Sequence, residues 1–172
     1  LSIGENTFGE LHPSNGMAVN NLGLLFMHQG KNEIAKNYLI RTMSILDNQY
    51  DYDHPEKIIP LNNLGVIEQK LRNFSEAEEI FDKVIQIAEN IFEEDHIVLT
   101  SPLINLGLLY DDTGRHNESI KIYERGLGIS RKYLDPQSPA LILWLNNLAL
   151  SNIEIGNRSK AENFYKEGSR FI

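Results

Sequence analysis

Apolar residues at Ile58, Leu61, Leu64 and Ile67 recur three apart, the spacing of one face of an α-helix. A second stripe follows at Ala77, Ile80, Phe81, Val84, Ile85 and Ala88, with Glu76, Glu78, Glu79 and Asp82 on the other side. The two stripes predict a helix pair, A then B. Pro55 stands where a first-turn proline belongs, behind the capping candidates Asp53 and His54. Helix A is expected to stop near Arg72-Asn73. Helix B is expected to open on Ser75-x-x-Glu78, a capping-box pattern that recurs as Ser159-x-x-Glu162, and to fade at Phe92-Glu93-Glu94-Asp95.

The pair is written four times. Asn20-Asn21-Leu22-Gly23, Asn62-Asn63-Leu64-Gly65, Ile104-Asn105-Leu106-Gly107 and Asn146-Asn147-Leu148-Ala149 put the last residue of each tetrad at 23, 65, 107 and 149, a spacing of 42. His12-Pro13, His54-Pro55, His96-Ile97 and Ser138-Pro139 run in phase with them. So do Gly30, Arg72, Gly114 and Gly156 at the expected turn, and Ala35, Ala77, Ser119 and Ala161 just beyond it. A fixed period of this length predicts a stacked array in which each unit packs on its neighbours. The register divides the chain into a tail of a preceding repeat (1–11), repeats at 12–53, 54–95 and 96–137, and an incomplete repeat at 138–172. Such a register, with apolar Phe171-Ile172 at the end, is that expected of a segment cut from a longer array. Pro60 and Pro102 lie a few residues into helix A, so those two helices are expected to start late or to bend.

Composition narrows the chemistry. With 41% hydrophobic and 23% charged residues the chain has the balance of a folded protein. Its net charge of −8 and lack of any basic block argue against nucleic acid and anionic membranes, because both are bound through clustered Lys and Arg. The absence of cysteine removes disulfides, thiolate chemistry and Cys-type zinc sites, and fits a cytoplasmic location. His12, His54 and His96 are whole repeats apart, which suits turn and cap residues better than ligands of one ion. His28 and His116 lack a partner at ligand spacing. Asp51-Tyr52-Asp53 and Glu93-Glu94-Asp95 lack the full calcium-loop pattern and read as acidic helix starts. Asn73-Phe74-Ser75, Asn117-Glu118-Ser119 and Asn157-Arg158-Ser159 match the glycosylation pattern but fall at the turn into helix B, where Asn and Ser serve as caps. No phosphate loop, nucleophile elbow or acid-base pair stands out, and neither a cofactor nor an enzymatic activity is expected.

Leu-Gly in helix A, Gly at the turn, and a small residue followed four later by an aromatic in helix B (Ala77/Phe81, Ser119/Tyr123, Ala161/Tyr165) resemble the tetratricopeptide repeat. Ala35/Leu39 departs from this by lacking the aromatic. Phe26 and Tyr110 carry the aromatic expected three residues after the Gly, but Glu68 and Asn152 do not. The 42-residue period, the His-Pro before helix A, the Asn-Asn-Leu-Gly tetrad and the Gln29-Gly30-Lys31 turn are similar to the long-repeat branch typified by kinesin light chain. The resemblance implies an all-α, right-handed superhelical solenoid of antiparallel helix pairs, whose A helices line a concave groove for peptide segments. It also implies that Asn21, Asn63, Asn105 and Asn147 meet ligand backbone.

Physical chemistry supports that role, since an amide offers both a donor and an acceptor to an extended chain. A ladder of Asn bonds between neighbouring helices is the alternative. Met17, Ile59, Ser101 and Leu143 stand four residues before these amides, and Leu24, Val66, Leu108 and Leu150 three after, on the same helix face. Those rows are expected to stay partly open as peptide contacts, or else to be packing. Seven residues beyond come His28, Lys70, Asp112 and Glu154, a row that would favour acidic ligand residues near Lys70 and basic ones near Asp112 and Glu154, or simply solvate the helix ends. The expectation is a non-catalytic binding module for a peptide or protein segment. The alternatives are a scaffold that self-associates through uncovered repeat ends, and a sensor region of a larger signalling ATPase or regulator.

Overall fold

The computed structural model describes residues 15–50, 52–92 and 94–171, and all regular structure among them is helical. The expected tail at 1–11 and the pair His12-Pro13 lie outside the described residues. The chain divides after Phe92 into two compact units. The first holds α1 (Gly16–His28), α2 (Asn32–Gln49), α3 (Pro55–Lys70) and α4 (Phe74–Ile91). The second holds a 3-10 turn (Ile97–Leu99), α5 (Thr100–Asp112), α6 (His116–Tyr133), α7 (Leu141–Glu154), α8 (Arg158–Gly168) and a closing 3-10 turn (Ser169–Phe171). Odd-numbered helices are A and even-numbered ones B. Each A packs on the B that follows it, and within a unit the first B packs on the next A.

One turn geometry joins A to B in all four pairs. Gly30, Arg72, Gly114 and Gly156 have φ of 72°, 65°, 74° and 80°. The next residue donates its N–H five residues back, Lys31 to the carbonyl of Phe26, Asn73 to Glu68, Arg115 to Tyr110 and Asn157 to Asn152, at 2.7–3.0 Å. This is the left-handed cap with a 6→1 bond, which ends a helix and reverses the chain within three residues. Glycine enters that region without strain, so Arg72 is the one turn that carries a steric penalty.

The same turn corrects the expected starts of the B helices. α4 begins at Phe74 and α8 at Arg158, so Ser75 and Ser159 lie inside the first turn. The capping residues are Asn73 and Asn157, and neither side chain makes a capping bond. The left-handed residue before them fixes the backbone that launches the helix, so no side-chain cap is required. At the A helices the expectation holds: His54 and His96 accept the backbone N–H of Glu56 and Val98 through Nδ1, each at 3.3 Å. α5 starts late, after its 3-10 turn, as Pro102 requires, whereas α3 runs unbroken from Pro55 with Pro60 inside it. A late start is therefore realised in only one of the two.

The tetrad glycine makes room for helix B. A Cβ on Gly107 would stand 2.2 Å from the Tyr123 ring, and one on Gly65 would stand 2.6 Å from the Phe81 ring. Tyr123 and Phe81 are consequently buried completely, four residues after the buried small residues Ser119 and Ala77.

Candidate functional site

The A helices bury one face and leave another open. On the inner face, Val19, Leu61, Leu103, Leu106, Leu145 and Leu148 are buried. The opposite face carries Met17 at 78% exposure, Ile59 at 65%, Leu143 at 54%, Leu150 at 53% and Leu108 at 39%, so large apolar side chains stand in solvent at helical spacing. Leu24 and Val66 are half-buried on it. Asn21 is exposed between Met17 and Leu24, while Asn63, Asn105 and Asn147 are half-buried between their own pairs of neighbours. Asn147 Nδ2 is buried without an acceptor. Further along each helix His28, Lys70, Asp112 and Glu154 are exposed. Each unit thus presents Asn and apolar positions side by side on two A helices.

A cavity opens on this face in each unit. In the first unit it measures about 300 Å³ and lies among Gly16, Met17 and Asn20 of α1, Thr42 and Leu46 of α2, and Glu56, Ile59 and Pro60 of α3. In the second it measures about 360 Å³ and is lined by Thr100, Ser101 and Ile104 of α5, Ser130 of α6, and Ala140, Leu143 and Trp144 at and in α7, together with Ile97 and Leu134. Adding 84, two periods, to the first set gives 100, 101, 104, 130, 140, 143 and 144, with Thr42 alone unmatched. The cavity is therefore a property of the repeat: two consecutive A helices form its walls and the intervening B helix its floor. Residue patterning had not revealed it, because its lining comes from three elements and only its exposed rim follows a single helix.

Two polar clusters also escaped the linear pattern. Glu68, fully buried where Phe26 and Tyr110 stand in other repeats, pairs with Lys36 Nζ of α2 at 2.7 Å and accepts from Asn73 Nδ2 at 2.8 Å. The Glu68 partner raises the Lys36 pKa against the opposing effect of burial. In the second unit the Asp111 carboxylate is surrounded by Ser119 Oγ (2.5 Å), Ser151 Oγ (2.9 Å), Tyr123 OH (2.9 Å) and His116 Nδ1 (3.0 Å). Burial, and then the Asp111 charge, push the Tyr123 phenol far above its ordinary pKa. Ser119 and Ser151 are sealed from solvent, so this constellation ties α5, α6 and α7 together and exposes no nucleophile. The acidic turn residue Asp95 is likewise engaged, by Lys132 Nζ at 2.8 Å and Arg125 Nε at 3.4 Å. No group of three or more His, Cys, Asp or Glu side chains suited to a metal ion occurs among the described residues.

Helix pairs at a fixed period, joined by a left-handed turn, with a small residue under an aromatic and an open A face, define an all-α helical-repeat protein. The tetratricopeptide repeat family model matches residues 15–90, 58–131 and 101–171, and the chain belongs to that family. Solved structures of similar fold include BtubC (BKLC) from P. vanneervenii, with a TM-score of 0.83 and 22% identity over 91% of this chain. A putative kinesin light chain from Podosopora anserina with nearly identical repeats matches over 99% of this chain, at a TM-score of 0.81 and 20% identity; its Q17M form gives 0.83 and 20%. This chain spans 62% of the BtubC chain and 80–81% of the fungal ones. No curated protein matches the chain. None of the helices among the described residues is long and apolar enough to cross a membrane.

Proposed function

We propose that the chain is a non-catalytic recognition module whose units each hold a peptide or protein segment against the open face of their A helices. One observation carries the reading: Met17, Ile59, Leu108, Leu143 and Leu150 remain exposed at helical spacing, although the same helices bury a full inner face. Large apolar side chains held in water beside amides are characteristic of a surface that is covered on binding. Asn21 and Asn63 in the first unit, and Asn105 and Asn147 in the second, supply donors and acceptors for an extended backbone. Leu24, Val66, Leu108 and Leu150 supply apolar contact. Lys70 favours acidic ligand residues in the first unit, and Asp112 with Glu154 favours basic ones in the second.

The test is selection of a random peptide display library against the chain and against an Asn63→Ala/Asn105→Ala variant of equal helicity. Sequences enriched by the first and weakened about tenfold or more by the second, the loss of one to two hydrogen bonds, are expected. Enriched sequences that bind both forms alike would remove the site from this face.

A further inference from the structure

The two equivalent cavities differ in one respect that bears on what they take. Where the second presents Ile104 and Ala140, the first presents Asn20 and Glu56. Glu56 is exposed at the rim, and the Tyr50 hydroxyl lies beside it. Lys57, the adjacent cation, is already held by Asp47 Oδ1 at 2.9 Å and the Tyr50 carbonyl at 2.8 Å. The remaining walls, chiefly Met17, Leu46, Ile59 and Pro60, are apolar. Among the described residues no Lys or Arg lines the cavity, so it combines an apolar channel with a rim carboxylate.

We propose that the first-unit cavity is a subsite for a lysine or arginine side chain of the bound segment, with Glu56 as the residue that sets this preference. The proposal rests on the open-face reading and gives it a ligand chemistry. A basic side chain is an apolar stem ending in a group that only donates, and such stems lie along apolar surface while the head reaches polar partners. Met17, Ile59 and Pro60 cover the stem, and Glu56 supplies the counter-charge. A neutral apolar side chain would leave Glu56 without a counter-charge, and an acidic one would face it. The second cavity, with Ala140 in place of Glu56, lacks this carboxylate and takes neutral side chains.

The molecule carries a separate reporter for each cavity. Met17 is one of three methionines, and Trp144 is the single tryptophan. The probes are capped pentapeptides, acetyl-Ala-Ala-X-Ala-Ala-amide, with X lysine, norleucine or glutamate. They are titrated into the whole chain while the Met17 ε-methyl resonance and Trp144 fluorescence are followed. At Met17 the lysine peptide is expected to bind about fivefold more tightly than the norleucine peptide, the factor that one partly exposed ion pair supplies, and the glutamate peptide most weakly. Asn20→Ile/Glu56→Ala, which places the second cavity's residues at these two positions, is expected to erase the lysine advantage and leave the norleucine response, with the Met27 and Met43 signals unmoved. Trp144 is expected to show no preference for lysine. Equal lysine and norleucine binding at Met17, a lysine preference that survives the double change, or no Met17 response to any peptide would overturn the subsite. Any of these would leave the open-face reading standing, because that reading depends on the Asn63→Ala/Asn105→Ala comparison.

Discussion

Position 68 shows how a single residue is settled by its surroundings. Glu68 occupies the place of Phe26 and Tyr110, fully buried, and tolerates it because Lys36 and Asn73 both reach its carboxylate. Removing one partner of a buried pair leaves the other charge uncompensated. Lys36→Met should therefore destabilise the chain by about 3 kcal/mol, whereas Lys36→Met/Glu68→Phe, which restores the aromatic of the other repeats, should recover most of the loss. Urea unfolding followed by circular dichroism measures both; a double variant no better than the single one would show that the pair contributes nothing specific. The substitution itself was visible in the sequence as a break in the repeat. The partner was not, since Lys36 is 32 residues away and only folding brings it within 2.7 Å. Asp111 is the same case, with donors 5, 8, 12 and 40 residues along the chain.

Elements were more legible than the contacts between them. Helix spacing and the turn at positions 30, 72, 114 and 156 are local signals, repeated four times, and the structure places helices and left-handed turns there; Pro55 likewise opens α3. The capping box at Ser75 misled because its pattern also fits residues one position into a helix already launched by the turn. The entry to α5 has a support that no local pattern announces: Asp95, at φ of 60°, is bridged by Lys132 and Arg125 of α6. Lys132, and secondarily Arg125, hold the Asp95 carboxyl below its usual pKa, while burial opposes them. A carboxyl with a depressed folded pKa contributes stability above its unfolded value and loses it as pH falls through the folded value. Asp95→Asn, which keeps a residue tolerant of positive φ, should lower the melting temperature by a constant amount at pH 5 to 7. That deficit should shrink below about pH 4 as the wild-type carboxyl protonates. Thermal melts of the two proteins from pH 2.5 to 7 give the comparison, and a deficit independent of pH would remove the ion pair as its cause. Its size should be under about 1 kcal/mol, because the pair is partly exposed.

At the scale of the molecule, the repeat that makes the fold also copies its surface. Every A helix offers the same three positions to solvent, and the cavity between consecutive A helices recurs at an 84-residue offset with a new lining. Repetition supplies the architecture, and substitution at fixed positions supplies selectivity. The rows of Asn and apolar residues could be read from the sequence because they follow one helix; the cavities could not, because each needs three. Binding at this face is tested most directly by the side-chain amide NMR of Asn21, Asn63, Asn105 and Asn147 during titration with a peptide selected on the chain. These amide resonances should move together with the Met17, Ile59, Leu108 and Leu150 methyls, while the exposed B-helix residues Ile34, Ile40 and Tyr165 stay in place. Shifts confined to Ile34, Ile40 and Tyr165, with the four amides unmoved, would contradict it.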